Sequence, residues 1–156
     1  MWLDMVKEEL GDKLQINWRS FALEQVNSEH GRDWKAWEQG TDYQSRGLWP
    51  LRGGIAARQQ GSAEHNEYMA KILHAKHVER EDVRTRESIL EIAVSASLDI
   101  DNFTEALDDP KSLKTIGNDH EHARALGIFG TPTFVFGNGL STFVKMFTPP
   151  KHEAMD

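Results

Sequence analysis

The chain has 156 residues, with 25 acidic and 18 basic side chains and a formal net charge of −7. This length favours one domain, or a small domain that carries an insertion, and 38% hydrophobic residues are enough to build a core. The negative charge argues against binding of nucleic-acid phosphates, which requires a basic surface.

Membrane insertion and secretion are not indicated by the sequence. No run of about 18 apolar residues is present, so we expect no membrane span. The first nine residues lack the basic and apolar regions of a signal peptide. We therefore expect a cytoplasmic protein that binds neither membranes nor nucleic acids.

Cysteine is absent from the sequence, which excludes disulfide bonds, thiolate metal ligands and a cysteine nucleophile within these residues. A histidine-based metal site would need several convergent ligands. His74 and His77 form only one pair, and His120 and His122 diverge because residues two apart on a helix point in different directions. We therefore predict no metal, no cofactor and no catalytic residue in this chain.

The first predicted element is an amphipathic helix over residues 2–10, with Gly11 just after its end. No capping residue precedes it, so we expect it to be the end of a helix that begins upstream. Residues 13–23 alternate between apolar and polar side chains, which predicts a strand near the edge of a sheet.

Residues 28–127 follow a helical pattern. Trp34 and Trp37 lie in a short helix, and together with Trp49 we expect them to pack in a core rather than to line a substrate groove. The next helix lies between Pro50 and Gly61, with an interruption at its two adjacent glycines, residues 53–54.

Four more helices are predicted in the helical region. The predicted N-terminal residues are Ser62 and Asp101 as caps, Thr85 as the residue at which its helix starts, and Pro110 as the first helical residue. The final helix has His120 on its apolar stripe and ends at Gly127.

The period then changes to that of strands. Residues 133–136 are β-prone and apolar on both faces, and Asn138-Gly139 predicts a hairpin turn to a return strand over residues 142–147. Residues 148–153 look like the start of a further helix. Two groups of strands separated by a long helical region favour a mixed α/β fold over a helical bundle.

One run, Gly127–Phe136 (GIFGTPTFVF), resembles the cis-proline segment of the DsbA-like branch of the thioredoxin superfamily. Trp18-Arg19-Ser20-Phe21 is similar to the second strand of that family, and the helical region matches in order and spacing. The resemblance implies an α/β fold, thioredoxin-like of the DsbA type, with a mixed sheet and a large all-helical insertion. Residues 1–27 and 128–156 would form a partial thioredoxin-like domain, residues 28–127 the helical insertion, and the first strand and final helix would be missing.

The same resemblance implies the candidate substrate-binding residues Gly130, Thr131 and Pro132. Proline cannot donate to a strand ladder, so Pro132 belongs at the first residue of a strand, but the residues alone leave cis and trans open. The family implies a cis bond here, with the main chain of Thr131 directed outward. Such a loop pairs with an extended peptide and faces a reactive thiol in the family.

The departure from the family lies at the start of the chain. Its members carry a first strand followed by Cys-x-x-Cys, or a variant, at the N-terminus of the first helix, where the thiol pKa is lowered. Both are absent here. We expect a distorted sheet, a strand supplied by a swapped partner, or a chain that is a fragment of its gene product.

The function implied by the resemblance is thiol–disulfide exchange on a protein or peptide substrate, which a cysteine-free chain cannot perform unaided. One alternative is a glutathione-dependent enzyme similar to kappa-class glutathione transferases and 2-hydroxychromene-2-carboxylate isomerases, which use a serine in the segment absent here. The other alternative is a non-catalytic module that binds peptides or forms a homodimer through the insertion.

Overall fold

The computed structural model describes residues 2–31, 33–40 and 43–145. Its helices are α1 (Trp2–Leu10), α2 (Leu23–Val26), α3 (Leu48–Gln60), α4 (Ser62–His74), α5 (Arg86–Ser95), α6 (Ile100–Asp108) and α7 (Lys111–Ala125). Single 3₁₀ turns cover Gly11–Lys13 and Ala36–Glu38, and a π-helical turn, Ala75–Glu79, follows α4. The strands in the described residues are β1 (Thr133–Val135) and β2 (Ser141–Phe143), which pair antiparallel.

The chain divides into two compact units. The helical unit is Ser20–Phe129 and contains α2 to α7. The terminal unit combines Met1–Arg19 with Gly130–Asp156, and its described elements are α1, the first 3₁₀ turn and the β1–β2 hairpin. Within the described residues, no helix is both long and apolar enough to cross a membrane.

The larger core of the helical unit is formed by α3, α4, α5 and α6. Its most deeply buried large side chains are Tyr68, Ile89, Phe103 and Leu107. Helix α3 is continuous, so the interruption predicted at its two glycines is wrong. A Cβ on Gly53 would lie 2.7 Å from Tyr68 Cζ, so this glycine is explained by the close approach of α4 rather than by a break.

A second core cluster joins the last helix to the first part of the helical unit. Trp37 and Ile116 are buried there, and Gly117 gives the indole room, because a Cβ at that position would lie 2.8 Å from Trp37 Cδ1. Trp34 packs against this cluster and Trp49 against the larger core, so the tryptophans are core residues as predicted. The short helix predicted around Trp34 and Trp37 is only a 3₁₀ turn.

The helix starts agree in part with the predicted caps. Thr85 is the N-cap of α5, which agrees with the predicted start of this helix, and its hydroxyl accepts a hydrogen bond from the Ser88 amide at 3.2 Å. Asp99, not Asp101, caps α6 by accepting from the Asn102 amide. Ser62 is the first residue of α4 and its side chain caps nothing, because the chain enters the helix through Gly61 at φ 151°.

The strand predicted over residues 13–23 is wrong. Residue 13 ends a 3₁₀ turn, residues 14–22 belong to no regular secondary-structure element, and Leu23 begins α2. The side chains of residues 14–19 do alternate between half-buried and exposed. The alternation that suggested a strand is therefore present without an assigned strand, because alternate burial of side chains and a regular hydrogen-bonded ladder are separate conditions.

The hairpin is present where the sequence predicts it, with a shorter return strand that ends at Phe143. Its turn is closed by the Gly139 amide donating to the Phe136 carbonyl at 2.9 Å, with Gly137 and Asn138 in the central positions. Gly139 then adopts φ 83°, a left-handed conformation that glycine tolerates. The helix predicted over residues 148–153 lies outside the described residues.

Candidate functional site

The final helix ends just before the candidate loop. Gly127 has φ 77°, its amide donates to the Arg124 carbonyl, and the Ile128 amide donates to the Ala123 carbonyl. This pair of hydrogen bonds is the Schellman arrangement, for which a left-handed glycine is favoured. The predicted end of α7 at Gly127 thus has a clear backbone cause.

The segment Gly130–Thr133, which we call the proline loop, brings together the three residues predicted for substrate binding. The Thr131–Pro132 peptide bond is cis. Gly130 is buried, and a Cβ added to it would lie 3.3 Å from Cε2 of the Phe143 ring. Thr131 and Pro132 are exposed, so the loop presents these two residues to solvent.

Two hydrogen bonds fix the proline loop to the hairpin and to itself. The Val144 amide donates to the Pro132 carbonyl at 3.1 Å, which extends the β1–β2 ladder by one pair. The Thr133 hydroxyl donates to the Gly130 carbonyl at 2.7 Å and so closes the loop across its ends. Among the hydrogen bonds of the described residues, none uses the main-chain N–H or C=O of Thr131.

The register of the hairpin decides which backbone groups face outward. Residues 132 and 144 form one hydrogen-bonded pair, and the Phe136 amide donates to Leu140 O at 2.8 Å in another. Hydrogen-bonded pairs alternate in an antiparallel ladder, so the N–H and C=O groups of Thr133 and Val135 point away from β2. We call this side of β1, with the main chain of Thr131, the open edge.

The site has no charge of its own. Between Arg124 and Lys145 the sequence contains no Asp, Glu, Lys, Arg or His. The proline loop and the open edge therefore offer main-chain donors and acceptors, hydroxyls and apolar side chains, and no general acid, base or nucleophile with a suitable pKa. These groups are of the kind that pair with the main chain of an extended peptide.

Two consecutive buried polar residues, Asp119 and His120, lie on α7 within the helical unit. Asp119 Oδ2 accepts from the Ser20 amide at 3.0 Å, and His120 Nδ1 accepts from the Ala22 amide at 3.2 Å. The His120 ring is 2% exposed and stacks on Phe21 with the centroids 4.7 Å apart. His120 therefore packs in the core, as its position on the apolar stripe of α7 indicates.

Electrostatics at His120 favour the neutral ring. Burial lowers the pKa of His120 below its ordinary value, and Arg124 and Lys35 act in the same direction while Glu121 opposes them. Lys35 donates to Glu121 at 2.6 Å and holds the pKa of that carboxyl below its usual range. Because Nδ1 accepts a hydrogen bond, the proton of the neutral ring is on Nε2.

Metal binding finds no support in the arrangement of side chains. In the part of the chain that is described, no group of three or more His, Cys, Asp or Glu residues is placed to hold an ion. His74 Nδ1 lies 3.6 Å from a Glu79 oxygen, and both side chains are about half exposed. That pair is a surface ion pair when the histidine is protonated.

Sequence reasoning missed two residues that shape these sites. In the sequence Thr133 stands out only as part of a β-prone run, and no motif singles out Asp119. The signal for Thr133 is its place three residues after Gly130, which matches the spacing of a turn. No sequence signal shows that Asp119 would bind the backbone of a residue 99 positions earlier.

Comparison with known proteins supports the assignment of the fold. The family model described as the DSBA-like thioredoxin domain matches residues 3–149. The uncharacterized protein Rv2286c of Mycobacterium tuberculosis is 28% identical over 154 residues, which cover 96% of this chain and 62% of that protein. The chain thus spans about three fifths of the length of this curated relative. On the extent of the domain match, this chain belongs to the family of DSBA-like thioredoxin domains.

Proposed function

We propose that this chain supplies the substrate-binding part of a thiol–disulfide exchange protein. The proline loop and the open edge bind the main chain of an extended, cysteine-containing peptide. The observation that carries the proposal is the exposed, unbonded main chain of Thr131 in a loop that is held on both sides by hydrogen bonds. The reacting thiolate belongs to a segment or partner outside these 156 residues, which contain no cysteine.

In the exchange, this chain's residues orient the substrate and take no part in bond making. The external thiolate attacks one sulfur of the substrate disulfide, a new S–S bond joins the two, and the original S–S bond breaks. The released sulfur leaves as a thiolate and takes a proton from water. Strand-like pairing with Thr131 holds the substrate in line for that attack.

The spacing of the open edge favours polypeptides over glutathione. Thr133 and Val135 are two residues apart on β1, which corresponds to about 6.8 Å along an extended strand. A peptide with several consecutive α-peptide bonds spans both positions. Glutathione has a single α-peptide bond, because its glutamate is linked through the side chain, so it reaches only one of the two.

Binding is tested by nuclear magnetic resonance with the 156-residue chain. The probe is an eight-residue peptide of β-prone residues with one central serine in place of cysteine, which removes any thiol chemistry. We expect chemical-shift changes that centre on residues 130–135. The same peptide with N-methyl groups on alternate amides is the matched control, and it should bind at least tenfold more weakly because its donors are lost.

Three results would contradict this proposal. Shifts confined to the helical unit would place the binding surface elsewhere, equal binding of the N-methylated peptide would exclude main-chain pairing, and tighter binding of glutathione would favour a glutathione-dependent enzyme. Peptide binding to a protein that never supports exchange with an added thiol partner would favour the non-catalytic module.

The chain alone should not accelerate reduction of insulin by dithiothreitol, because a thiolate is the nucleophile in this reaction and the sequence has none. The measurement is turbidity from the precipitating insulin B chain. The control is the same mixture of insulin and dithiothreitol without the protein. A rate above that of the control would show that another group performs the chemistry and would overturn the assigned role.

A cytoplasmic location of the protein is part of this proposal.

A further inference from the structure

The shape of the proline loop depends on a hydrogen bond that a backbone normally supplies. In a four-residue turn the carbonyl of the first residue accepts from the amide of the fourth. In the proline loop the Gly130 carbonyl accepts from the side-chain hydroxyl of Thr133 instead, at 2.7 Å. The hydroxyl thus takes the place of the Thr133 amide.

This replacement matters for the open edge. Because the side chain satisfies Gly130, the Thr133 amide is not needed inside the turn and points away from β2 with its carbonyl. The Pro132 carbonyl is held by the Val144 amide, and the buried Gly130 lies against the Phe143 ring. Within the proline loop, the main-chain groups that stay available are those of Thr131 and Thr133.

We propose that Thr133 is a positioning residue, whose hydroxyl holds the proline loop in the conformation that leaves the main chain of Thr131 and Thr133 free to pair with a substrate peptide. This inference rests on the proposed function for its consequence, peptide affinity. The hydrogen bond from the Thr133 hydroxyl to the Gly130 carbonyl is present in the free protein, so its effect on the loop is tested without any ligand.

The test compares Thr133→Val, which keeps the β-branched shape and loses the hydroxyl, with Thr133→Ser, which keeps the hydroxyl. Thr142→Val is the matched control, because Thr142 is an exposed threonine on β2 of the same hairpin. The readouts are the hydrogen-exchange rate of the Val144 amide and the chemical shift of the Thr131 amide in the free chain. We expect the hydrogen-exchange rate of the Val144 amide to be about tenfold higher in Thr133→Val than in the original protein. This is the size of effect that follows from the loss of one hydrogen bond.

Thr133→Ser should restore the exchange rate to within about twofold of the original protein, and Thr142→Val should leave it unchanged. Affinity for the serine-containing peptide should fall about tenfold in Thr133→Val alone. If exchange and shift in Thr133→Val equal those of the original protein, the inference is wrong; it is equally wrong if serine fails to rescue them. If the original protein binds no peptide but Val144 exchanges faster in Thr133→Val alone, the proposed function is wrong and the positioning role of Thr133 in the loop is supported.

Discussion

At the scale of single residues, two adjacent glycines in α3 have different surroundings. A Cβ on Gly53 would meet Tyr68 Cζ at 2.7 Å and Ile89 Cγ2 at 2.8 Å, in the middle of the larger core. A Cβ on Gly54 would meet only Met69 Sδ, at 3.8 Å, and the edge of the Tyr68 ring at 4.0 Å, which is ordinary contact. One glycine is therefore required by packing, and the other is not.

We expect Gly53→Ala to lower the free energy of unfolding by about 1–3 kcal/mol, because overpacking displaces Tyr68 against buried neighbours. Gly54→Ala is the control and should raise that free energy by up to about 1 kcal/mol, since alanine is the better helix former. Urea unfolding followed by circular dichroism measures both. Equal stability of the two variants would refute the packing explanation.

At the scale of elements, the helices are defined by their ends. The chain enters α5 through Thr85, whose hydroxyl accepts from the Ser88 amide, and enters α4 through Gly61, after which Ser62 makes no capping bond. A sequence pattern treats both hydroxyl residues alike. The difference comes from backbone conformation, because a capping side chain must belong to the extended residue just before the helix.

Thr85→Ala should therefore lower the free energy of unfolding by about 1 kcal/mol, the usual loss for a cap. Ser62→Ala should change it by less than about 0.5 kcal/mol, as expected for an exposed position without a specific bond. Thermal and urea unfolding of the two variants give the comparison. A larger loss in Ser62→Ala would mean that Ser62 is the cap after all.

At the scale of the whole molecule, α7 holds the first segment of the helical unit. Asp119 and His120 bind the amides of Ser20 and Ala22, which lie 99 and 98 positions earlier in the chain. These bonds close the helical unit on itself and are made by two consecutive residues. Only one of them, that of His120, requires an uncharged acceptor.

Stability should fall on mild acidification because of His120. Burial lowers the pKa of this histidine in the folded chain, while the unfolded chain titrates near the ordinary value of 6.5. Below about pH 6.5 the unfolded state therefore binds more protons, so the free energy of unfolding decreases as the pH falls toward the folded pKa. The contribution of one such group is at most about 1.4 kcal/mol per pH unit.

The free energy of unfolding is measured by urea denaturation at several pH values between 7.5 and 5. His120→Asn is the control, since an amide oxygen accepts from Ala22 without titrating in this range. We expect the variant to show a shallower dependence on pH than the original protein. Identical slopes would mean that His120 is protonated equally in the folded and unfolded states.

Much of the fold can be predicted from the sequence, because local patterns specify local structure. Helical periodicity placed α1 and α3 to α7, and the β-prone run with its Asn-Gly turn placed the hairpin. The resemblance located Gly130, Thr131 and Pro132 as one loop, and the domain match supports the family behind it. The absence of cysteine, and hence of a thiolate, is likewise a property of the sequence alone.

The tertiary structure decided what depends on partners distant in the chain. Residues 14–19 alternate like a strand but belong to no strand in the structure, so their pattern did not determine their secondary structure. Likewise, only the fold shows that Asp119 reaches Ser20, and only the hairpin register shows which main-chain groups of β1 stay open. A sequence pattern states which side chains prefer burial, whereas a hydrogen bond needs two groups in place, and the folded chain alone determines where the second group lies.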